Sequence, residues 1–406
     1  MITVIFVAPR LSENASRMVE AIGALPDVRL GVISTDWIEH GSARAREVVA
    51  QHWRVDDVLD VAQLHHAVEQ VSARIGGVHR LFGAYELLQV PLAEVREALG
   101  IAGLPSMAAH KFRDKALMKD VLRAHALPCA RHAVVEHYVD AISFAERVGF
   151  PLVLKPQAGA GSLSTYRVDD ATALGEALEM TRPSPTAPLI VEEFITGTEH
   201  SFETISIDGV SVWHSLSHYH PTPLEVLRNP WIQWVVILPR DVDHPRYDDI
   251  RDAGSRALQA LGQTTGLTHM EWFRRADGSV AISEVAARPP GAQLTTLISR
   301  ANDIDFLDAW ARLMVHGTFE IPERKYAVGA AYLRGQGSGV VRRIHGLERV
   351  EAEVGALVCD MKLPEIGQPP HATYDGDGYI IVRHPETAVV ERAIRRVAEL
   401  VHVELG

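Results

Sequence analysis

The chain has 406 residues, enough for two or three domains of about 150 residues each, and its 47% hydrophobic content supports properly buried cores. A formal net charge of −12, with no block of lysine or arginine, argues against nucleic-acid and membrane-surface partners, which both require clustered positive charge, and favours small molecules. Cys129 and Cys359 are the only cysteines and form no CxxC, so neither a disulfide framework nor a cysteine zinc site is indicated and a reducing cytoplasm fits.

The opening stretch MITVIFVAPR lacks a basic n-region and is too short to span a membrane; it reads as a buried strand, not a signal peptide. From Ile2 to about Leu104, the apolar runs ITVIFVAP, VRLGVIST and HRLFGAYE alternate with helical stretches, which predicts a small parallel α/β domain. No GxGxxG follows the first strand, so a nicotinamide-binding dehydrogenase is set aside. A boundary is expected near GLPSMAAHK. A helix from about Ser106 into KALMKDVLRAHA then carries Leu117, Val121 and Ala124 at helical spacing and ends before Pro128.

The strand-like run FPLVLKP leads into QAGAGS. Lys155 ends this strand, and Gly159 and Gly161 would let backbone amides, with Ser162, approach an anion closely. The lysine precedes the glycines, so this is not a Walker A loop. The run VEEFITGTE ends another strand: backbone groups around Glu192, Glu193, Phe194 and Ile195 could read an adenine edge, and Glu199 could accept from ribose hydroxyls. A plain strand end followed by an acidic turn is the competing reading. Lys115, at the start of its helix, reads by itself as a solvated residue.

FETISIDGVSVWHSLSH predicts a hairpin around Asp208-Gly209, followed by the connection HYHPTPLEVLRNPWIQW and the helix DDIRDAGSRALQALG. His214, His218 and His220 have strand spacing, but no local carboxylate or cysteine completes a tetrahedral zinc set, so acceptor-pocket or surface histidines are expected.

Thr268 to Gly291 reads as strand, turn, strand. A two-residue loop at Asp277-Gly278 sets Glu271 opposite Glu284 and His269 opposite Ala286. Like charges directly across a strand pair are destabilising, and a divalent cation resolves the conflict: Mg²⁺ commonly uses one or two carboxylates together with nucleotide phosphates. A wet, solvent-facing hairpin is the alternative. Four residues after Glu284, alternation puts Arg288 on the same face, where its guanidinium could hold a carboxylate or a phosphoryl group, or simply neutralise Glu284. The helix DFLDAWARLMVHG follows. From about Ile321, short strands and a final amphipathic helix complete the chain, with Arg334, Arg342 and Arg343 among glycines as candidates for an anionic substrate.

The order of these pieces resembles the ATP-grasp superfamily, and within it the biotin-carboxylase-like and L-amino-acid-ligase branch of carboxylate-amine ligases. The resemblance spans nearly the whole chain and is weakest at the C-terminal end. It implies a multidomain α/β and α+β fold: an N-terminal parallel α/β domain at 1–110, an ATP-grasp domain at 111–315 with a lid at about 128–193, and a C-terminal mixed section at 316–406. Carried over by position, Lys115 and Lys155 contact ATP phosphates, Glu192 to Ile195 border adenine, Glu199 binds ribose, Glu271 and Glu284 ligate Mg²⁺ (or Mn²⁺), and Arg288 holds the reacting acid or acyl phosphate. The chain departs from the family's E-x-N-x-R pattern at Ala286, which puts one of two metal sites in doubt, and GAGSLSTYR lacks a glycine after its first serine.

The implied reaction is ATP-dependent activation of a small carboxylate as an acyl phosphate, followed by amide formation with an amine and release of ADP and phosphate. Bicarbonate activation and a non-catalytic Mg-ATP sensor are the competing functions. His214, His218, His269, Arg334 and Arg342 are candidates for substrate contact. The 218–234 connection is the expected seat of substrate choice, and the resemblance also implies a homodimer.

Overall fold

The computed structural model describes residues 1–159, 165–229, 232–371 and 373–406. Its first layer is a four-stranded parallel sheet in the order Val49–Arg54, Val28–Ser34, Ile2–Ala8, Arg80–Phe82. Alternation along the first strand serves two cores. Val4 and Phe6 pack with Met18 and Ile22 of the helix Glu13–Gly23, while Ile5 and Val7 pack with Leu64, Val68 and Val71 of the helix Val61–Ile75. Trp310, on the helix Phe306–His316, lies edge-on to Phe6 and Phe82 and ties this layer to the rest.

A second, antiparallel sheet orders His132–Val135, Leu189–Glu193, Leu152–Pro156 and Tyr166–Val168. With the helices Tyr138–Val148 and Ala171–Thr181 it encloses its own apolar cluster, including Phe144, Leu154, Leu174 and Val191. This unit falls within the expected lid.

The largest sheet has eight antiparallel strands: Val280–Ala286, Gly266–Arg275, Gly197–Ile207, Val210–His220, Val235–Leu238, Ala327–Leu333, Gly378–His384 and Val358–Lys362. Its last three strands come from the section expected to begin at residue 316. The sheet therefore runs straight through that boundary. The helix Thr387–Leu400 covers this end through Val390, Ile394 and Val397.

Two local expectations need correction. The helix from Ser106 is broken at Asp114, whose extended backbone and side chain cap a new helix, Lys115–Ala124, by accepting from the amides of Ala116 and Leu117. Its buried face is Lys115, Met118, Lys119 and Leu122, not the row of Leu117, Val121 and Ala124. Hydropathy points to the wrong face because both lysines are buried against distant carboxylates.

The hairpin of Thr268–Gly291 does not turn through two residues. Gly278 has φ 85° and the amide of Arg275 donates to Ser279 O, so the loop is Ala276 to Gly278. That shifts the register by one, and a β-bulge at Ser283 shifts it back. Trp272 faces Ile282, yet Glu271 still faces Glu284 and His269 faces Ala286. At Asp208-Gly209 both φ angles are positive and Ile207 pairs with Val210, giving the two-residue turn expected there.

Candidate active site

A cavity of about 1030 Å³ opens between the three sheets. The four-stranded antiparallel sheet contributes Lys155, Glu192 and Glu193, with Phe194 and Ile195 just beyond its strand; the large sheet contributes Glu199, His269, Glu271 and Glu284; the parallel layer contributes Glu86. Lys115, Gly159 and Arg288 also line it.

The cations and carboxylates of the cavity are interlocked. Lys115 Nζ lies 2.9 Å from Glu284 Oε1 and donates to Gly159 O at 3.1 Å. Burial alone would raise the Glu284 carboxyl, but Lys115, Lys155 and Arg288 pull it down to about 2. Lys155 Nζ sits 3.1 Å from Glu192 Oε2, and the other Glu192 oxygen lies 3.4 Å from the fully buried Lys119. Burial disfavours charge on Lys155, yet Glu192, Glu284 and Glu271 outweigh it and hold the ammonium above its usual range. For Lys119 burial wins, and its affinity for a proton falls.

Glu199 is raised well above the usual carboxylate range, by burial first and then by the charge of Glu271, with Lys155 opposing. A divalent cation beside Glu271 and Glu284 would relieve that repulsion. Among the described residues no group of three or more His, Cys, Asp or Glu side chains forms a metal cage. The facing Glu271–Glu284 pair fits an ion that takes two carboxylates and completes its shell with phosphate oxygens and water.

Arg288 donates from Nε to Glu86 Oε2 at 2.7 Å and from Nη1 to Pro289 O at 2.9 Å. Its carboxylate partner is thus Glu86, across the domain boundary, and not Glu284. The same Glu86 lies 4.0 Å from Arg113, which also donates to Gly159 O at 3.0 Å.

An ATP-grasp domain matches residues 120–302. That stretch holds the four-stranded antiparallel sheet, and it brings the paired glutamates and Arg288 to one cavity.

The chain carries an ATP-grasp domain.

It is similar to an uncharacterised protein of Sinorhizobium fredii, 24% identical over 364 residues that make up 87% of this chain and 70% of that one. It is also similar to an L-arginine-specific L-amino acid ligase of Bacillus subtilis, 24% identical over 276 residues, which are 65% of each chain. The match thus spans about two thirds of these curated relatives' lengths. An L-amino acid ligase crystal structure from Bacillus licheniformis superposes with a TM-score of 0.79 at 21% identity, covering 100% of this chain and 99% of that one, and so has the same ATP-grasp fold.

Within this cavity the expected residues divide sharply. Lys115, Lys155, Gly159, Glu192, Glu193, Phe194, Ile195, Glu199, His269, Glu271, Glu284 and Arg288 all line the one cavity. Gly161 and Ser162 lie outside the described residues. The Glu193 side chain is engaged by Arg131, with its Oε2 2.6 Å from Arg131 Nε, and Arg167 lies over the Phe194 ring at 4.4 Å.

His214 and His218 are not cavity residues, which corrects their assignment as substrate contacts. They point to the opposite face of the sheet, where the His214 ring lies tilted beside Phe202, centroids 5.5 Å apart, and His218 bonds the Tyr247 hydroxyl at 2.9 Å. Burial lowers both, His218 to about 4. Arg342 is also corrected: it is exposed and donates to Gly406 O at the chain's end. Arg334 does not line the cavity either. It grips the backbone carbonyls of Val226, Asn229 and Ile232, at 3.0, 3.3 and 2.9 Å, and so fastens the segment that supplies Thr222, Leu224 and Arg228 to the cavity wall.

Sequence reading missed Glu86, Lys119, Glu203 and Tyr374. The first three are buried charges whose partners are remote in the chain; Tyr374 lines the cavity edge-on to Trp234, with ring centroids 4.8 Å apart. Two lysines at i and i+4 on one face of an otherwise amphipathic helix, Lys115 and Lys119, were the available signal.

Among the described residues no helix is long and apolar enough to cross a membrane.

Proposed function

We propose that the protein is an ATP-dependent carboxylate-amine ligase that activates a small acid as an acyl phosphate and joins it to an amine. The observation that carries this reading is the convergence of two buried, carboxylate-paired lysines, an opposed glutamate pair and Arg288 on one cavity large enough for a nucleotide and a second small molecule. The names of the ligase relatives point the same way.

In this reading Lys115 and Lys155 neutralise the transferring phosphoryl group, exchanging Glu284 and Glu192 for phosphate oxygens. Mg²⁺, held by Glu271 and Glu284, would supply the remaining charge stabilisation. Arg288, braced by Glu86, aims the acid's carboxylate. An acid oxygen bonds to the γ-phosphorus as the bond to ADP breaks; the amine nitrogen then bonds to the acyl carbon, phosphate leaves and the nitrogen loses a proton. Glu192 to Ile195 border the base and Glu199 faces the ribose. The lid excludes water from the acyl phosphate.

Hydroxylamine trapping tests the proposal. The protein is incubated with Mg-ATP, hydroxylamine and a panel of amino and other carboxylic acids, and hydroxamate and ADP are measured. Hydroxamate with matching ADP supports the ligase and names the acid. ATP binding with no hydroxamate from any acid would count against it and favour bicarbonate activation or a non-catalytic role.

A further inference from the structure

Glu271 and Glu284 do not offer all their oxygens to a cation. Glu284 Oε1 is taken by Lys115 at 2.9 Å, and Glu271 Oε1 faces His269 Nε2 at 3.6 Å. Among the described residues neither Oε2 has a hydrogen-bond or ion-pair partner. Each carboxylate thus keeps one unclaimed oxygen.

His269 is fixed from behind. Its Nδ1 lies 2.8 Å from Oε1 of Glu203, a carboxylate with no exposure at all, so turning the ring away would strand a buried charge. Directly across the hairpin stands Ala286, whose methyl group offers no ligand. On that flank of Glu271 the cavity wall therefore presents an imidazole N–H and a methyl, where a second ion would need oxygen donors.

We propose that His269, held by Glu203, blocks the flank of Glu271 on which a second divalent ion would sit, so that the site takes one divalent cation per nucleotide. This rests on the nucleotide-using reading above, with Glu271 and Glu284 as the ligands. His269 is a positioning residue: it fixes which Glu271 oxygen is available.

The test counts Mn²⁺ by electron paramagnetic resonance in the intact protein saturated with a non-hydrolysable ATP analogue, whose binding is followed separately by calorimetry. The wild-type protein is expected to hold one Mn²⁺ per chain. His269→Asn, which keeps a hydrogen bond to Glu203 and frees Glu271, is expected to admit a second. Glu203→Gln loosens the ring and is expected to admit the second ion at lower affinity, which covers the case in which His269→Asn does not fold. Two Mn²⁺ in the wild-type protein would overturn the proposal, and so would a count of one in every folded variant. Failure of the wild-type protein to bind the analogue is a different result: it removes the nucleotide reading itself.

Discussion

Lys119 Nζ donates to the carbonyl of Ser283 over 2.8 Å, and Ser283 is the extra residue that bulges the strand beside Glu284. The same ammonium faces Glu192, the partner of Lys155. One buried charge thus braces both the glutamate hairpin and, through Glu192, Lys155. Its replacement, Lys119→Met, leaves Glu192 underpaired in the interior and is expected to destabilise the fold by about 3 kcal/mol. Urea unfolding would measure this, and calorimetry should show weaker nucleotide binding. An unchanged midpoint together with unchanged affinity would refute the bracing role.

Arg288 presents a planar fork, and a lysine in its place keeps the charge but loses the fixed donors to Glu86 and, in the proposed reaction, to the acid. Arg288→Lys is expected to lower kcat by roughly 10²-fold, the usual scale for losing one positioned donor, while nucleotide affinity changes little. Hydroxamate formation at saturating acid, compared with calorimetric nucleotide binding, separates the two effects. A kcat near the wild-type value would exclude a role at the reacting carboxylate.

Arg334 should act on substrate selection without touching substrate. Arg334→Ala releases three carbonyls of the 226–232 segment and is expected to raise KM for the acid or amine several-fold, with nucleotide affinity preserved. If both constants move together, the residue serves general stability instead.

Stability should fall on mild acidification. Burial lowers His200 to about 3, helped by the neighbouring His218, and lowers His218 to about 4. An unfolded histidine titrates near 6.5, so as pH drops below that value the unfolded chain takes up protons that the folded one refuses. Their contribution is full above about pH 6.5 and is lost as pH falls toward 4. Each histidine steepens the slope by at most about 1.4 kcal/mol per pH unit. Unfolding midpoints between pH 8 and 5 would measure this; His218→Gln should flatten the curve, and an identical slope in that variant would discount the mechanism.

A chain cut after His316 loses the three strands that complete the eight-stranded sheet and bares the fully buried strand Val235–Leu238. It is expected to be insoluble on expression, because an unpaired apolar edge strand aggregates. Recovery of a monomeric, cooperatively melting fragment would instead make residues 317–406 a separable section.

The sequence by itself determined what is local or periodic. The parallel layer was legible because buried strands alternate with amphipathic helices, and the Glu271–Glu284 pair because a short hairpin leaves little freedom of register. Even there the result depended on two offsets that cancel: the three-residue loop reflects the backbone of Gly278, and the bulge is tied to Lys119, which lies 164 residues away in the chain. The tertiary structure alone decided which charges could be buried. Lys119 reads as a surface lysine until Glu192 and Ser283 O reach it; Glu86 is anonymous until Arg288, 202 residues later, crosses to it; and Glu203 is simply a strand residue until His269 bonds it. Alternation put His214 and His218 on one face of their strand, but only packing decided that this face is the core and the other is the cavity. A charge can leave water only where an opposite charge or a carbonyl meets it, and that partner is chosen by the fold, not by the neighbouring sequence.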